Sequence, residues 1–290
     1  MSAARLRILT GALMLGAFGV GPAVAQPTGA THLVVVSGLG GDPELAARFV
    51  EWSAGIANAG EKSGLPASNR VWLAEDPGAD PRIDGPSTRE GIQASLTALA
   101  DRVAASDRVL LVLFGHGTER DGSPRLNLPG PDLTAEEWGT LLDGLDVRTV
   151  GFVNTASASG GFVPVLSAQG RVVITATRSG RERNLTRFGE HFARAWGDEG
   201  ADTDKDGRVS LLEAYEFARL EVAREYQRQD LLLSEHSNID DDGDGAGAHE
   251  PDPVAGDGRL ARTCFLTAGA PAVAGPATDD PELAALSAAK

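Results

Sequence analysis

Short apolar runs alternate along this chain with stretches in which apolar residues recur every three to four positions. His32-Leu33-Val34-Val35-Val36 predicts a buried strand, bounded by Gly38 and the Gly40-Gly41 pair. Asp42 and Pro43 then give an N-cap and a first-turn proline, predicting a helix to about Asn58. Arg70 to Leu73 is a second short strand, followed by a Pro/Asp/Gly-rich loop from Asp76 to Pro86. Ser87, with Glu90 three residues later, predicts a capping box for a helix with the stripe Ile92, Leu96, Leu99 and Val103. Arg108 to Phe114 is nearly all apolar, as a central strand covered on both faces must be. Thr134 and Glu137 form another capping box ahead of Trp138, Leu141 and Leu142. Val147–Val153 and Arg171–Ala176 predict two more strands, and Leu185–Trp196 and Leu211–Arg228 two more helices. Strands alternating with helices in this way predict an α/β fold, a three-layer sandwich around a mostly parallel sheet.

Composition refines this outline. A chain of 290 residues with 42% hydrophobic content supports a sizeable core. The first 25 residues stand apart from it: Arg5 and Arg7 precede an apolar run from Ile8 to Val20, and Ala23-Val24-Ala25 offers a small-residue cleavage site. This pattern predicts a secretory signal peptide cut after Ala25, hence a secreted or periplasmic protein with no stable membrane insertion after cleavage. Removing it takes two of the 26 basic residues and none of the 41 acidic ones, moving the net charge from −15 to −17. Such a surface repels nucleic acid and anionic membranes and suits cations or basic partners. The single cysteine, Cys264, forms no internal disulfide, so an exported chain needs another brace, and a bound metal supplies one.

The most specific motif is D-T-D-K-D-G-R-V-S-L-L-E, from Asp202 to Glu213. Its oxygen-bearing side chains fall at loop positions one, three, five, nine and twelve, and Gly207 sits at position six where the chain must turn sharply. A hard cation such as Ca²⁺ takes six to eight oxygens in flexible geometry. The predicted ligands are the carboxylates of Asp202, Asp204 and Asp206, the Arg208 carbonyl, Ser210 directly or through water, and a bidentate Glu213. Val209 at position eight is apolar, as a residue packed behind the loop should be. The motif resembles an EF-hand loop, with the two flanking helices as a C-terminal helix–loop–helix extension of the α/β domain. A second acidic run, N-I-D-D-D-G-D-G-A-G from Asn238, places Asp240, Asp242, Asp244 and Gly245 in the same register. Its second half departs from the pattern, with Ala248 at position nine and Pro251 at position twelve, and Glu250 and Asp252 one residue to either side. It is either a weaker cation site or an irregular acidic loop.

In open α/β sheets, sites form beyond the carboxyl ends of the strands. Two such ends carry reactive side chains. Arg108–Phe114 runs into Gly115-His116-Gly117, and Val147–Val153 runs into Asn154-Thr155-Ala156-Ser157-Ala158-Ser159-Gly160-Gly161. A histidine at a sheet rim beside free backbone N–H groups has the parts of a general base and an oxyanion donor, and Ser157 stands where a nucleophile would. The bland alternative is that His116 satisfies rim hydrogen bonds and the serines cap a turn.

A buried strand ending in G-H-G, followed by a later strand ending in A-S-A-S-G, resembles the caspase–legumain group of cysteine peptidases. The resemblance spans about His32 to Trp196 and includes the strand order and the Thr88–Gly91 helix start. It implies a caspase-like α/β domain, with His116 at the general-base position, Gly117 at the oxyanion-donor position and Ser157 at the nucleophile position. Ala176-Thr177-Arg178-Ser179 resembles the strand end that lines that group's substrate pocket. This chain carries serine where the group carries cysteine. A thiol is readily made a thiolate beside histidine, whereas a serine hydroxyl needs stronger base assistance and normally a third group behind the imidazole. Glu119 and Asp121 are candidates for that group, and no spacing singles one out.

The chain thus divides into a signal peptide (1–25), a caspase-like α/β domain (30–197), an EF-hand-type helix–loop–helix (198–235), and an acidic glycine-rich loop with a largely irregular tail (236–290) broken by Leu260–Leu266. Two functional readings stay open beside a weaker third, a calcium sensor that changes shape, which abundant and steady extracellular calcium disfavours. One is an exported calcium-binding protein that has lost peptidase activity and uses its strand-end cleft to hold a peptide or protein segment. The other is a Ser157–His116 hydrolase braced by calcium.

Overall fold

The computed structural model describes residues 29–267. The predicted signal peptide lies outside them. In chain order, β1 (Thr31–Ser37) leads to α1 (Pro43–Lys62), β2 (Arg70–Ala74), β3 (Gly85–Pro86), α2 (Arg89–Ala100) and β4 (Arg108–Phe114). Three short strands follow, β5 (Gly117–Arg120), β6 (Ser123–Leu126) and β7 (Leu133–Thr134), and then α3 (Ala135–Asp143). The remainder is β8 (Thr149–Asn154), α4 (Val163–Leu166), β9 (Arg171–Thr175), α5 (Phe188–Arg194), α6 (Leu211–Arg228) and β10 (Asn238–Asp240).

Seven strands form one sheet in the order β10-β9-β8-β4-β1-β2-β3, parallel throughout except for β10. Alternation along each strand divides the core between its faces. Leu33 and Val35 pack with Phe49, Trp52 and Ile56 of α1, Phe188 and Phe192 of α5, and Tyr215 and Val222 of α6. Val34 and Val36 face the other way, toward Ile92, Leu96 and Leu99 of α2, Trp138 and Leu142 of α3, and Leu166 of α4. The predicted helix–sheet–helix layering is therefore present. It follows from strands that are apolar on both sides, since each fully buried aliphatic or aromatic side chain contributes roughly 1.5–3 kcal/mol.

The start signals act largely as the sequence predicts. Asp42 accepts hydrogen bonds from the Glu44 and Leu45 amides at the head of α1, and Thr134 and Glu137 form their reciprocal box on α3. α1 runs four residues past its expected end, because Ala59 and Gly60 are buried; a Cβ on Gly60 would lie 3.1 Å from a Leu33 methyl. The cap of α2 is Thr88 rather than Ser87: its hydroxyl accepts from the Gly91 amide, while the Ser87 amide still bonds the Ala74 carbonyl at the end of β2. α5 begins three residues later than expected. The buried Glu235 carboxylate accepts from the Arg187 and Phe188 amides and so fixes the first turn there.

Besides the two-residue β3 and the four-residue α4, two features have no counterpart in the sequence prediction. β5, β6 and β7 pair antiparallel as a small separate sheet beyond the carboxyl end of β4. The segment from Asn238 onward is also more ordered than its composition implies. β10 adds to the outer edge of β9, while Ala261, Cys264 and Leu266, in the Leu260–Leu266 stretch that the sequence sets apart from the tail, are buried in the core beside α6. Leu211 donates its amide to the Cys264 carbonyl at 2.8 Å, which ties this segment to the head of α6. Among the described residues no helix is long and apolar enough to cross a membrane.

Candidate functional site

The strands β1, β4, β8 and β9 are parallel, so their carboxyl ends meet along one edge; Ser37 is level with Phe114, Leu113 with Asn154, and Asn154 with Thr175. The chain reverses its direction of travel across the sheet between β1 and β4, where such folds place a crevice. His116 stands there. Its Nε2 donates to the Gly40 carbonyl at 3.2 Å, and its ring packs edge-on against Phe49 with centroids 5.4 Å apart. The carbonyl acceptor fixes the tautomer and leaves Nδ1 as the acceptor nitrogen.

Ser157 lies on the other side of Gly117 and is almost fully buried. Its Oγ accepts from the Gly117 amide at 3.3 Å and donates to the Gly117 carbonyl at the same distance. Both atoms that an oxyanion–nucleophile pair would offer a substrate are thus directed at each other. A Cβ on Gly117 would sit 2.2 Å from the Ser157 carbonyl oxygen, so only glycine permits this approach. Among the described residues no hydrogen bond joins Ser157 to His116. Neither proposed orienting acid reaches the imidazole: the Glu119 side chain packs over Gly180 and Gly161, and Asp121 sits at the β5–β6 turn with φ +53°. Ala176 to Ser179 lie beside the Ser157 loop, where the Thr177 hydroxyl accepts from the Gly160 amide at 3.0 Å. The sequence thus brings the right segments to one edge, but the structure leaves their reactive groups engaged elsewhere.

The first acidic loop lies at the opposite end of α5. Oxygens of Asp202, Asp204 and Asp206 converge to within 4.8 Å of one another. The Gly207 amide donates to Asp202 Oδ2 at 3.0 Å, the Asp206 amide to Asp204 Oδ1 at 3.1 Å, and the Arg208 amide to Asp206 Oδ1 at 2.8 Å. Lys205 and Gly207 adopt left-handed backbone with φ of +62° and +82°, which curls the loop around the three carboxylates. Asp202 Oδ1 is shielded from solvent with no hydrogen-bond donor among the described residues. An acceptor placed so is suited to a cation. Glu213 is buried behind the loop, where its carboxylate accepts from the Thr203 and Ser210 amides at 2.9 Å each. It also completes a capping box with Ser210 at the head of α6. Glu213 is not among the three converging acids.

The second loop repeats the first half of this geometry. The Gly245 amide donates to Asp240 Oδ2 at 2.8 Å, the Asp244 amide to Asp242 Oδ1 at 3.1 Å, and the Ala246 amide to Asp244 Oδ1 at 2.7 Å. Gly243 and Gly245 take φ of +84° and +80°, matching positions four and six of the first loop. The third converging acid differs from the expected set: Asp240 and Asp242 are joined by Asp257, and Asp244 is not in the group. Burial pushes the Asp257 carboxyl up to about 6, reinforced by the charges of Asp242, Asp240 and Asp241. Sequence spacing could not reveal Asp257, which arrives from beyond Pro251. The one available signal was that the twelve-residue pattern lacks its closing acid.

No protein-family model matches the chain, and no curated protein matches it. Among solved structures it is similar to the crystal structure of protein GSU0716 from Geobacter sulfurreducens. That similarity has 12% identity and a TM-score of 0.48, covering 82% of this chain and 99% of the other.

Proposed function

We propose that this chain is an exported calcium-binding protein whose caspase/legumain-like domain lacks peptidase activity and serves a binding or structural role. The observation that carries the calcium assignment is the three-carboxylate convergence at Asp202, Asp204 and Asp206, together with the orphaned Oδ1 of Asp202. Oxygen-only donors on a flexible loop fit a hard cation, and Ca²⁺ tolerates the irregular coordination that such a loop offers. Asp202, Asp204 and Asp206 would hold the ion with the Arg208 carbonyl and Ser210, and Glu213 would close the shell from α6. The ion would then brace the junction of α5 and α6. Asp240, Asp242 and Asp257 are the residues for a second, weaker site.

The assignment of a non-peptidase rests on Ser157, which is buried and spends its hydroxyl on Gly117. The strand-end crevice near His116 remains a place for a peptide or protein segment. Two measurements test the proposal together. Calorimetric titration of the full chain with Ca²⁺ is expected to give saturable binding that Asp202→Ala weakens at least tenfold; no binding would sink the calcium half. A fluorophosphonate probe is expected to leave the protein unlabelled. Labelling that vanishes in Ser157→Ala would replace the binding role with a serine hydrolase.

A further inference from the structure

The amino-terminal edge of the sheet, opposite His116 and Ser157, bounds a cavity of about 600 Å³. Four arginines line it, Arg108, Arg148, Arg208 and Arg262, although the chain has an excess of acidic residues. Arg108 opens β4 and Arg148 immediately precedes β8; Arg108 is level with Thr149, so both arginines rise from one rim. Arg208 comes from the first acidic loop, where it pairs with Asp206 at 2.7 Å and lies 4.0 Å above the Phe265 ring. Arg108, Arg148 and Arg262 make no ion pair among the described residues. The Nη1 atoms of Arg108 and Arg208 are each shielded from solvent with no hydrogen-bond partner among the described residues. A guanidinium nitrogen withdrawn from water without an acceptor is costly, so it calls for an acceptor entering the cavity.

Asp204, Asp206 and Glu213 line the same cavity. Asp206 is held by Arg208, and both oxygens of Glu213 are turned to the amides of Thr203 and Ser210. Asp204 accepts from the Asp206 amide, so these acids are engaged within their own loop rather than with Arg108, Arg148 or Arg262. A carboxylate is matched by one guanidinium fork. Three guanidinium groups around a single space, without ion pairs among the described residues, match a dianion with three terminal oxygens. Leu212 and Phe265 supply an apolar wall beside them, suited to an organic group attached to that anion.

We infer that this cavity binds a phosphate group carried on a small organic molecule, with Arg108 inside and the exposed Arg148 and Arg262 at its mouth. The site shares Asp204, Asp206, Arg208, Ser210 and Glu213 with the calcium loop but takes its anion donors from Arg108, Arg148 and Arg262, and it is separate from the strand-end crevice. It is tested by calorimetric titration of the full chain with inorganic phosphate at low ionic strength in the presence of chelator, with acetate as the comparison anion. Saturable phosphate binding is expected, with acetate silent at the same concentrations. Arg148→Gln and Arg262→Gln are each expected to weaken phosphate by roughly tenfold, as loss of a charge-assisted hydrogen bond does. Arg194→Gln, in the groove between α1 and α5, is expected to leave it unchanged. Absence of saturable phosphate binding, equal binding of acetate, or unaltered affinity in both rim variants would overturn the inference. Arg108→Gln is expected to have the largest effect; should it fail to fold, the two exposed rim variants decide.

Discussion

The Gly117 peptide and the Ser157 hydroxyl hold each other across the gap between β5 and the loop after β8, donating and accepting at 3.3 Å in each direction. The approach is close because position 117 has no side chain. Gly117→Ala is therefore expected to destabilise the protein by about 1–3 kcal/mol through overpacking. Ser157→Ala loses only a pair of long hydrogen bonds and is expected to cost about 1 kcal/mol. Urea denaturation of the two variants ranks them, and a smaller loss for Gly117→Ala would contradict the contact.

Chelation is expected to lower the melting temperature. An ion present at about a hundredfold over its Kd stabilises by about 2.7 kcal/mol, which for a chain of this size shifts the melt by roughly 5–10 °C. Scanning calorimetry with calcium and with excess chelator measures the shift. Identical melts would remove the ion from any structural role.

The two loops are expected to differ in their closing acid. Asp257→Asn should weaken the second calcium equivalent more than Asp244→Asn does, because Asp257 and not Asp244 converges with Asp240 and Asp242. Calorimetric stoichiometry distinguishes the variants, and the reverse ranking would return the second loop to the simple spacing pattern.

Glu235 gives a pH dependence of defined sign. Burial pushes its carboxyl up to about 7, against the lowering effects of the Arg187 and Phe188 amides and the Arg187 charge, while Glu182 adds to the rise. The folded state then holds its proton more tightly than the unfolded state does. The resulting stability is fully present below the unfolded value near 4.5 and is lost as pH rises through about 7. The loss amounts to at most roughly 3 kcal/mol. Glu235→Gln keeps an acceptor for the two amides and is expected to flatten this part of the profile. Denaturation at several pH values from 4 to 8 provides the comparison, and parallel profiles for the two proteins would contradict the assignment.

The layered fold was legible because its signals are strong and local. The apolar run of β4 has no alternative burial, and Pro43 and Thr134 mark helix starts. The small sheet was not legible, since β5 and β6 are four residues long, β7 only two, and Pro124 and Arg125 interrupt any apolar pattern. β10 was hidden inside an acidic glycine-rich stretch because only Ile239 carries an apolar signal there. At the site, sequence order correctly brought His116, Gly117 and Ser157 to one edge. Side-chain direction decided the rest: Ser157 turns to Gly117 and His116 to Gly40, a choice made by packing and not by spacing.

The short last strand also has a consequence for self-association. Ile239 pairs with Ile174 of β9 on one side, and exchanges both backbone hydrogen bonds with Ala248 on the other. The far margin of the sheet is the two-residue β3, which ends at Pro86 and so cannot donate another ladder bond there. Neither margin presents a long free ladder to a neighbouring molecule, which is how native sheets avoid edge-to-edge aggregation. On the β10 side that protection depends on the second acidic loop folding back to bring Ala248 against Ile239, so the loop serves as a guard against polymerisation as well as a candidate ligand shell.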